Sequence, residues 1–434
     1  MRSFRFSAGF IGFLVALFPL GVLPVGSGSA GLVTTAAHAG NWDGVTTWET
    51  AYVSRIVDGD TLIVKDVLTN QSSRIRLLGI NAPEKTHSTV AGQCGGAEAM
   101  QALSEILPIG TLVRLLSADQ NSKGLADRPQ RVVLAQNPET QEFDQDIAWG
   151  MAERGWGLWF TVAKEASMSS IYRDVIARAQ EQRIGIWNPQ LCGELEQPDS
   201  SIDLRISRGT SAADEWVIVR NSGTADVDLS GWTIRESGNQ GWIVLPGGSI
   251  LSPGDYRVVY TGYKPRLAND PRALYANLKT RLYPEPIKQP YLFGDGVYLL
   301  DRYGNYRFWR QYPCTIDCEN DPLGGSVVIQ DMSLGKKRGE KRAATQWMRL
   351  LNRGTETRCL DGYRIETGNT RYRLPSGTCI PPGGTWMMHG GKSGVKSRAA
   401  SSTVYLGRKT SIFWLTGTVT LFSDQDQIIA RRSW

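Results

Sequence analysis

Two short stretches of this chain carry residue types whose chemistry converges: VDGDT at Val57–Thr61 and IRLLGINAPE at Ile75–Glu84. They bring Asp60, Arg76, Asn81 and Glu84 close together in sequence, and Arg131 follows within DRPQRVVLA (Asp127–Ala135). Carboxylate and amide oxygens are ligands for a hard cation. A further carboxylate can take a proton from water. Guanidinium forks match the oxygens of a phosphate better than an ammonium does. Cleaving a phosphodiester needs all three, so the most economical reading is a metal-assisted nuclease. The scarcity of histidine removes rival chemistries. Only His38, His87 and His389 occur, too few to assemble a Ser-His-Asp hydrolase, a two-histidine ribonuclease or a histidine-centred metal site.

The text around these residues predicts how they are positioned. Tyr52–Val67 reads as strand, DGD turn, strand. Arg74–Ile80 alternates arginine with apolar residues, as a strand does, and Pro83 ends it. Gly96–Leu107 has helical spacing and stops at Pro108. Leu112–Leu116 and Arg131–Ala135 read as further strands, while Asp144–Leu158 and Ser167–Ile184 read as amphipathic helices. Five strands with helices between and after them fit a small β-barrel of the OB type. Trp156, Trp159 and Phe160 fit either a core or a surface that stacks an unpaired base, and the core is preferred because buried aromatics outnumber exposed platforms.

The chain is long enough for two to four domains. Its first residues read as an export signal spanning 1–39: Arg2 and Arg5, an apolar run from Phe10, then Ala37-His38-Ala39. An uncleaved anchor is the alternative, and no other segment could cross a bilayer. In an oxidising compartment the six cysteines, Cys94, Cys192, Cys314, Cys318, Cys359 and Cys379, are an even set that points to three disulfides. A zinc site is disfavoured because no CxxC pair exists. Charge is divided unevenly. Trp48–Gln197 carries 14 Lys+Arg against 19 Asp+Glu, a balance of −5, whereas Pro198–Trp434 carries 32 against 22, a balance of +10. A basic half of this kind suits a polyanion or an anionic surface.

Beyond a linker near Glu196–Ser201 the sequence repeats itself. EWVIVRNSGTADVDLSGWTI (Glu215–Ile234) parallels QWMRLLNRGTETRCLDGYRI (Gln346–Ile365), and LPGGSILSPGDYRVV (Leu245–Val259) parallels LPSGTCIPPGGTWMM (Leu374–Met388). Short strands and frequent Gly/Pro turns predict two β-sandwiches, at 198–318 and 346–434, joined by a basic linker at 333–345. Aligning the copies places Cys359 and Cys379 in one sandwich, expected to bridge its strands. Cys314 and Cys318 would close a small loop, and Cys94 and Cys192 would staple the first helix to the barrel's exit. The fold class is therefore mainly β and multidomain: an OB-fold barrel with helices, plus two immunoglobulin-like sandwiches.

Residues 48–193 resemble the staphylococcal nuclease-like (thermonuclease) family, on VDGDT, IRLLGINAPE, DRPQRVVLA and the closing GIWNP (Gly185–Pro189). The two repeats resemble lamin-tail domains, an immunoglobulin-like module. The first resemblance implies that Arg76, Glu84 and Arg131 are catalytic and that Asp60, Asn81 and the Ala82 carbonyl hold Ca2+. Asn81 stands where the family has a second aspartate, which keeps an oxygen and removes a charge. DRPQR replaces the glycine-bearing turn common before the second arginine. The resemblance also implies DNA and RNA as substrates, internal cleavage and 3′-phosphate products. The resulting expectation is a secreted, monomeric, calcium-dependent nuclease of low sequence preference whose basic sandwiches retain substrate or an anionic surface. The alternative is a catalytically weak protein that binds nucleic acid or a cell surface.

Overall fold

A computed structural model describes residues 42, 45–86, 92–119, 122, 128–192, 201–239, 241–263, 271–283, 294–314, 321–335, 340–368, 370–392 and 402–434, which lie in one compact unit. The expected export signal, His87, the Glu196–Ser200 part of the expected linker, Cys318 and the Lys336–Gly339 part of the basic linker fall outside these residues. No described helix is long and apolar enough to cross a membrane.

Strands β1 (Thr47–Ile56), β2 (Thr61–Asp66), β3 (Ser72–Leu77) and β4 (Ile80–Asn81) precede helix α1 (Gly96–Ile106). Then come β5 (Leu112–Ser117), β6 (Gln130–Gln136), β7 (Phe143–Asp146), α2 (Ile147–Glu153), β8 (Leu158–Trp159), α3 (Ala166–Ser169) and α4 (Tyr172–Glu181). The sheet order is β3-β2-β1-β5-β6-β7, and parallel pairing of β3 with β6 closes five strands into a barrel. Period-two alternation fills it. Val53, Leu62, Val64, Ile75, Leu77, Leu115 and Val133 point inward, and α1, α2 and α4 lay Ala99, Leu103, Met151 and Ile176 against them. Each such aliphatic side chain contributes ~1.5–3 kcal/mol by leaving water.

Two expected helices are shorter than their periodicity. Phe143–Asp146 instead adds a strand to β6, so α2 starts only at Ile147, where Asp146 caps it by accepting from the Trp149 N–H at 3.1 Å. The expected helix over Ser167–Ile184 is divided into α3 and α4 and ends at Glu181. Asp146 also accepts from the Tyr172 hydroxyl of α4 at 2.9 Å, and burial pushes its carboxyl up to about 6 despite both bonds. A carboxyl raised in the folded state stabilises fully below about pH 4, and that contribution is lost as pH rises through about 6. Asp146→Asn keeps the capping oxygen. It is expected to flatten the pH dependence of the urea midpoint between pH 4 and 7 and to add ~1–3 kcal/mol at pH 8. An unchanged pH slope would contradict this account.

The repeat folds twice into the same sandwich. In the first copy, Ile202–Ser207, Trp216–Asn221, Tyr256–Tyr260 and Ala273–Tyr275 form one sheet, and Thr233–Arg235, Trp242–Val244, Asp295–Leu300 and Tyr306–Tyr312 form the other. In the second, the corresponding sheets are Val327–Leu334, Gln346–Asn352, Thr385–His389, Thr403–Tyr405 and Arg364–Thr367, Thr370–Arg373, Thr418–Phe422, Ile428–Ser433. In both, the last strand of the first sheet pairs in parallel. The repeated Asn-x-Gly-Thr explains itself. Asn221 donates to the Ala225 and Leu251 carbonyls at 2.7 and 2.8 Å, and Asn352 donates to Glu356 and Ile380 at the same distances. Each pins a turn to the neighbouring strand. The second sandwich begins at Val327, so the first two residues of the expected 333–345 linker lie in a strand, and Glu340–Ala343 forms a short helix.

The disulfides Cys94–Cys192 and Cys359–Cys379 form as expected. The sandwiches are locked to each other by charge. Asp424, on a turn of the second, accepts a fork from Arg310 at 2.5 and 2.6 Å, and its neighbour Asp426 takes Arg208 at 3.2 Å. The first sandwich is also fastened to the barrel domain. Trp187 of the barrel packs against Tyr298, Tyr306 and Trp309 with ring centroids 6.1, 5.5 and 4.6 Å away. Thr161 donates to the Gly294 carbonyl at 2.8 Å.

Candidate active site

The β1–β2 turn carries Asp58 and Asp60, with the Asp60 N–H donating to the Asp58 carboxylate at 3.1 Å. The Leu77 N–H donates to the Asp60 carbonyl at 2.8 Å and the Arg76 N–H to the Pro129 carbonyl at 2.9 Å, so the turn, β3 and the approach to β6 are stitched together. Since Ile75 and Leu77 point into the barrel, Arg76 must point out of it, towards the turn. Gly79 then bends the chain at φ +89°, passing so close to Tyr172 that a Cβ would lie 2.0 Å from the ring. That bend presents Asn81 to the same place.

The result is a closed cluster. Arg76 donates from Nη1 to Asp60 Oδ1 at 3.1 Å, and its Nη2 lies 2.9 Å from Oδ2. Asp60 also accepts from the Thr61 hydroxyl and the Ala82 N–H, each at 2.9 Å. Ala82 thus turns its amide to the cluster. Arg76 Nη2 donates to Asn81 Oδ1 as well, and the Phe160 ring lies 5.5 Å from its guanidinium carbon. Asp60, Arg76 and Asn81 are only 3, 7 and 4 % exposed.

What covers them is the first sandwich. The Asn81 amide donates to the Ser237 carbonyl at 2.7 Å. Next to it, Gly238 approaches Phe160 so closely that a Cβ would meet the ring at 2.7 Å. Asp295 holds this turn through the Ser237 N–H at 2.9 Å. Sequence reading treated Phe160 as core or stacking surface and gave no role to Ser237, which is 156 residues from its partner.

Glu84 is half-buried beside the cluster. Its N–H donates to Gln93 at 3.1 Å, and its carboxylate makes no hydrogen bond among the described residues. Its charge reaches Asp58. Burial first, then the charges of Asp60 and Glu84, push Asp58 up to about 6. Sequence reading passed over Asp58, although DGD shows it plainly.

Arg131 goes elsewhere. It pairs in register with Leu77 and shares the face of Val133 and Ala135, both of which point into the barrel. There it meets Glu49 at 3.2 Å and the Gln130 carbonyl at 2.9 Å. Arg76, one strand over, has the opposite phase. The guanidinium that does join the cluster is Arg128, whose Nη1 donates to the Thr61 hydroxyl at 3.1 Å. Burial and then the Arg76 charge lower its pKa, as expected of two cations held together. The signal for it was in DRPQR, which offers two arginines. Trp159 is buried with its indole N–H on the Ser169 carbonyl at 3.0 Å, so it is core. His389 stacks on Tyr405 in the second sandwich.

The donor set of Asp58, Asp60, Asn81 and Glu84 is all hard oxygen, the donor chemistry a divalent cation such as calcium takes, although among the described residues the three carboxylates are not drawn together around one point. Burial raises Asp58 most, and the carboxylate repulsion that adds to it is what such a cation would relieve. In the arrangement described here Arg76 supplies that positive charge instead.

Comparison with known proteins agrees with this architecture. Residues 74–189 match the model for staphylococcal nuclease homologues, and residues 197–313 match that for the lamin tail domain. A probable endonuclease, LCL3, of Colletotrichum graminicola is 31% identical over 128 residues, which is 29% of this chain and 44% of that protein. The chain thus spans less than half the length of that relative. This protein therefore joins, in one chain, a segment of the staphylococcal nuclease-homologue type to one of the lamin-tail type.

Proposed function

We propose that this protein is a secreted endonuclease that hydrolyses phosphodiester bonds of DNA and RNA, with calcium as its metal. The observation that carries the reading is the Asp60–Arg76–Asn81 cluster, set beside Glu84 in a barrel that matches the nuclease homologues. Glu84 takes the proton from the attacking water, the role for which an unbonded carboxylate is suited. Arg76, with Arg128 in place of the expected Arg131, binds the phosphoryl oxygens as charge grows on them. Asp58, Asp60 and Asn81 would hold calcium, which draws negative charge from the bound phosphate. Low sequence preference follows if the protein touches phosphate and sugar rather than base edges. Export is supported by the leader-like first residues and by the disulfides. The basic sandwiches retain the polyanion, so activity on long DNA should fall steeply with salt.

The test is incubation of plasmid and of RNA with the purified protein, with calcium or with chelator, across a salt series. Calcium-dependent loss of both substrates is expected, and no loss above the chelated control would leave only a binding protein. The Ser237–Gly238 turn gives that second reading its weight, because it lies on Phe160 and Asn81 beside an Arg76 that is only 7 % exposed. Gly238→Leu forces the turn off Phe160. Turnover is expected to rise several-fold, since about 1 kcal/mol of closure is worth roughly fivefold. Unchanged or lower turnover in a folded variant would show that the turn does not close the site.

A further inference from the structure

Where the barrel and both sandwiches meet, a cavity of about 350 Å³ is lined by Arg173, Gln180 and Arg183 of the barrel domain, by Arg310 and Gln311 of the first sandwich, and by Gln425 of the second. Arg173 is 3 % exposed. Its Nη2 donates to the Pro313 carbonyl at 3.2 Å and its guanidinium lies over Trp159 at 5.3 Å, while Nε and Nη1 make no hydrogen bond among the described residues. Among the described residues no carboxylate forms an ion pair with it. Gln180, 5 % exposed, likewise leaves its Nε2 without a partner among the described residues.

A buried guanidinium with idle donors is costly unless something completes it. Burial accordingly lowers the Arg173 pKa to about 10. Arg310 cannot be the reason for the cavity, because its fork is taken by Asp424. Arg183, held over Trp309 at 4.8 Å, adds a cation at the mouth, and Glu181 is the carboxylate that lines it. The idle groups on the barrel side, Arg173 Nε and Nη1 and Gln180 Nε2, are donors, and the idle group facing them from the first sandwich is one acceptor, Gln311 Oε1. What they lack is a compact acceptor with several lone pairs, and the volume is at the low end of the ~300–1,000 Å³ typical of small-molecule sites.

The geometry points to a phosphate-binding site at this junction, with Arg173 and Gln180 donating to the phosphate oxygens and Arg183 at the entrance. The phosphate is either free or the end group of a nucleotide. A bound phosphate ties α4 to both sandwiches and so stabilises the assembled chain. This site is separate from the Asp60–Arg76 cluster, and its existence does not rest on nuclease activity.

Thermal unfolding of the full chain, without calcium and with chelator, tests it. Potassium phosphate is compared with potassium chloride at equal ionic strength, and a 3′-mononucleotide with its nucleoside. Phosphate is expected to raise the Tm in wild type, and a lower saturation midpoint for the nucleotide than for phosphate would name a strand end as the source. Arg173→Met fills the same space without charge. It should unfold no lower than wild type in chloride and lose the response to phosphate. Arg183→Ala, at an exposed position, should raise the midpoint about tenfold, the effect of one charge-assisted hydrogen bond. Arg76→Ala should keep the response. The site is disproved if chloride matches phosphate, if Arg173→Met responds like wild type, or if Arg76→Ala abolishes the response. Should Arg173→Met not fold, an unchanged midpoint in both Arg183→Ala and Gln180→Leu disproves it as well.

Discussion

Glu84→Gln is expected to slow plasmid cleavage by about 10²–10⁴, the contribution of a positioned general base, while leaving the fold intact. The side chain is half-buried in the segment that follows β4 and makes no hydrogen bond among the described residues that glutamine would break. The amide keeps the shape and loses only the ability to take a proton. Its charge also adds to the crowding felt by Asp58, so the variant should need a higher calcium concentration for half-maximal rate. Single-turnover cleavage with calcium titrated in each protein separates the two effects. A variant that cleaves within a few-fold of wild type at saturating calcium would remove Glu84 from the chemistry.

The two arginines of DRPQR should behave in opposite ways. Arg128→Ala is expected to cut the rate about 10²-fold or more at little cost in stability, because a lost donor to developing charge has that effect and the residue is only half-buried. Arg131→Ala is expected to lower stability by ~1–3 kcal/mol through the gap and the abandoned Glu49. Its rate per folded molecule should stay near wild type. Urea unfolding alongside initial rates reads both. If Arg131→Ala proves the rate-defective variant with unchanged stability, the assignment from strand phase is wrong and the one from sequence order is right.

That contrast shows where local text stops being informative. The DGD turn, helix α1 from Gly96 and the alternation in β3 all follow from spacing, because turns, helical faces and strand faces are determined over a few residues. The repeat told more still. Aligning its copies paired Cys359 with Cys379 before any geometry, and the repeated Asn makes the same two bonds in each copy. Arg131 lies on Glu49 instead of Asp60 for a reason of phase. A strand's side chains alternate with period two, so a single residue's difference in where β6 begins sends a guanidinium into the barrel instead of out to the cluster. DRPQR does not declare that starting point. Only the pairing of Leu77 with Arg131 does.

The sequence alone determined the barrel, the repeated sandwiches and the residue types of a phosphodiesterase site, because those depend on patterns read within single elements. The tertiary structure decided which arginine reaches the cluster, that Ser237 and Gly238 lie across it, and that Arg173 is buried at a three-way junction with no ion-pair partner among the described residues. Such facts depend on surfaces brought together from distant parts of the chain. Their complementarity is a property of packed shapes and charges, and no local periodicity records it.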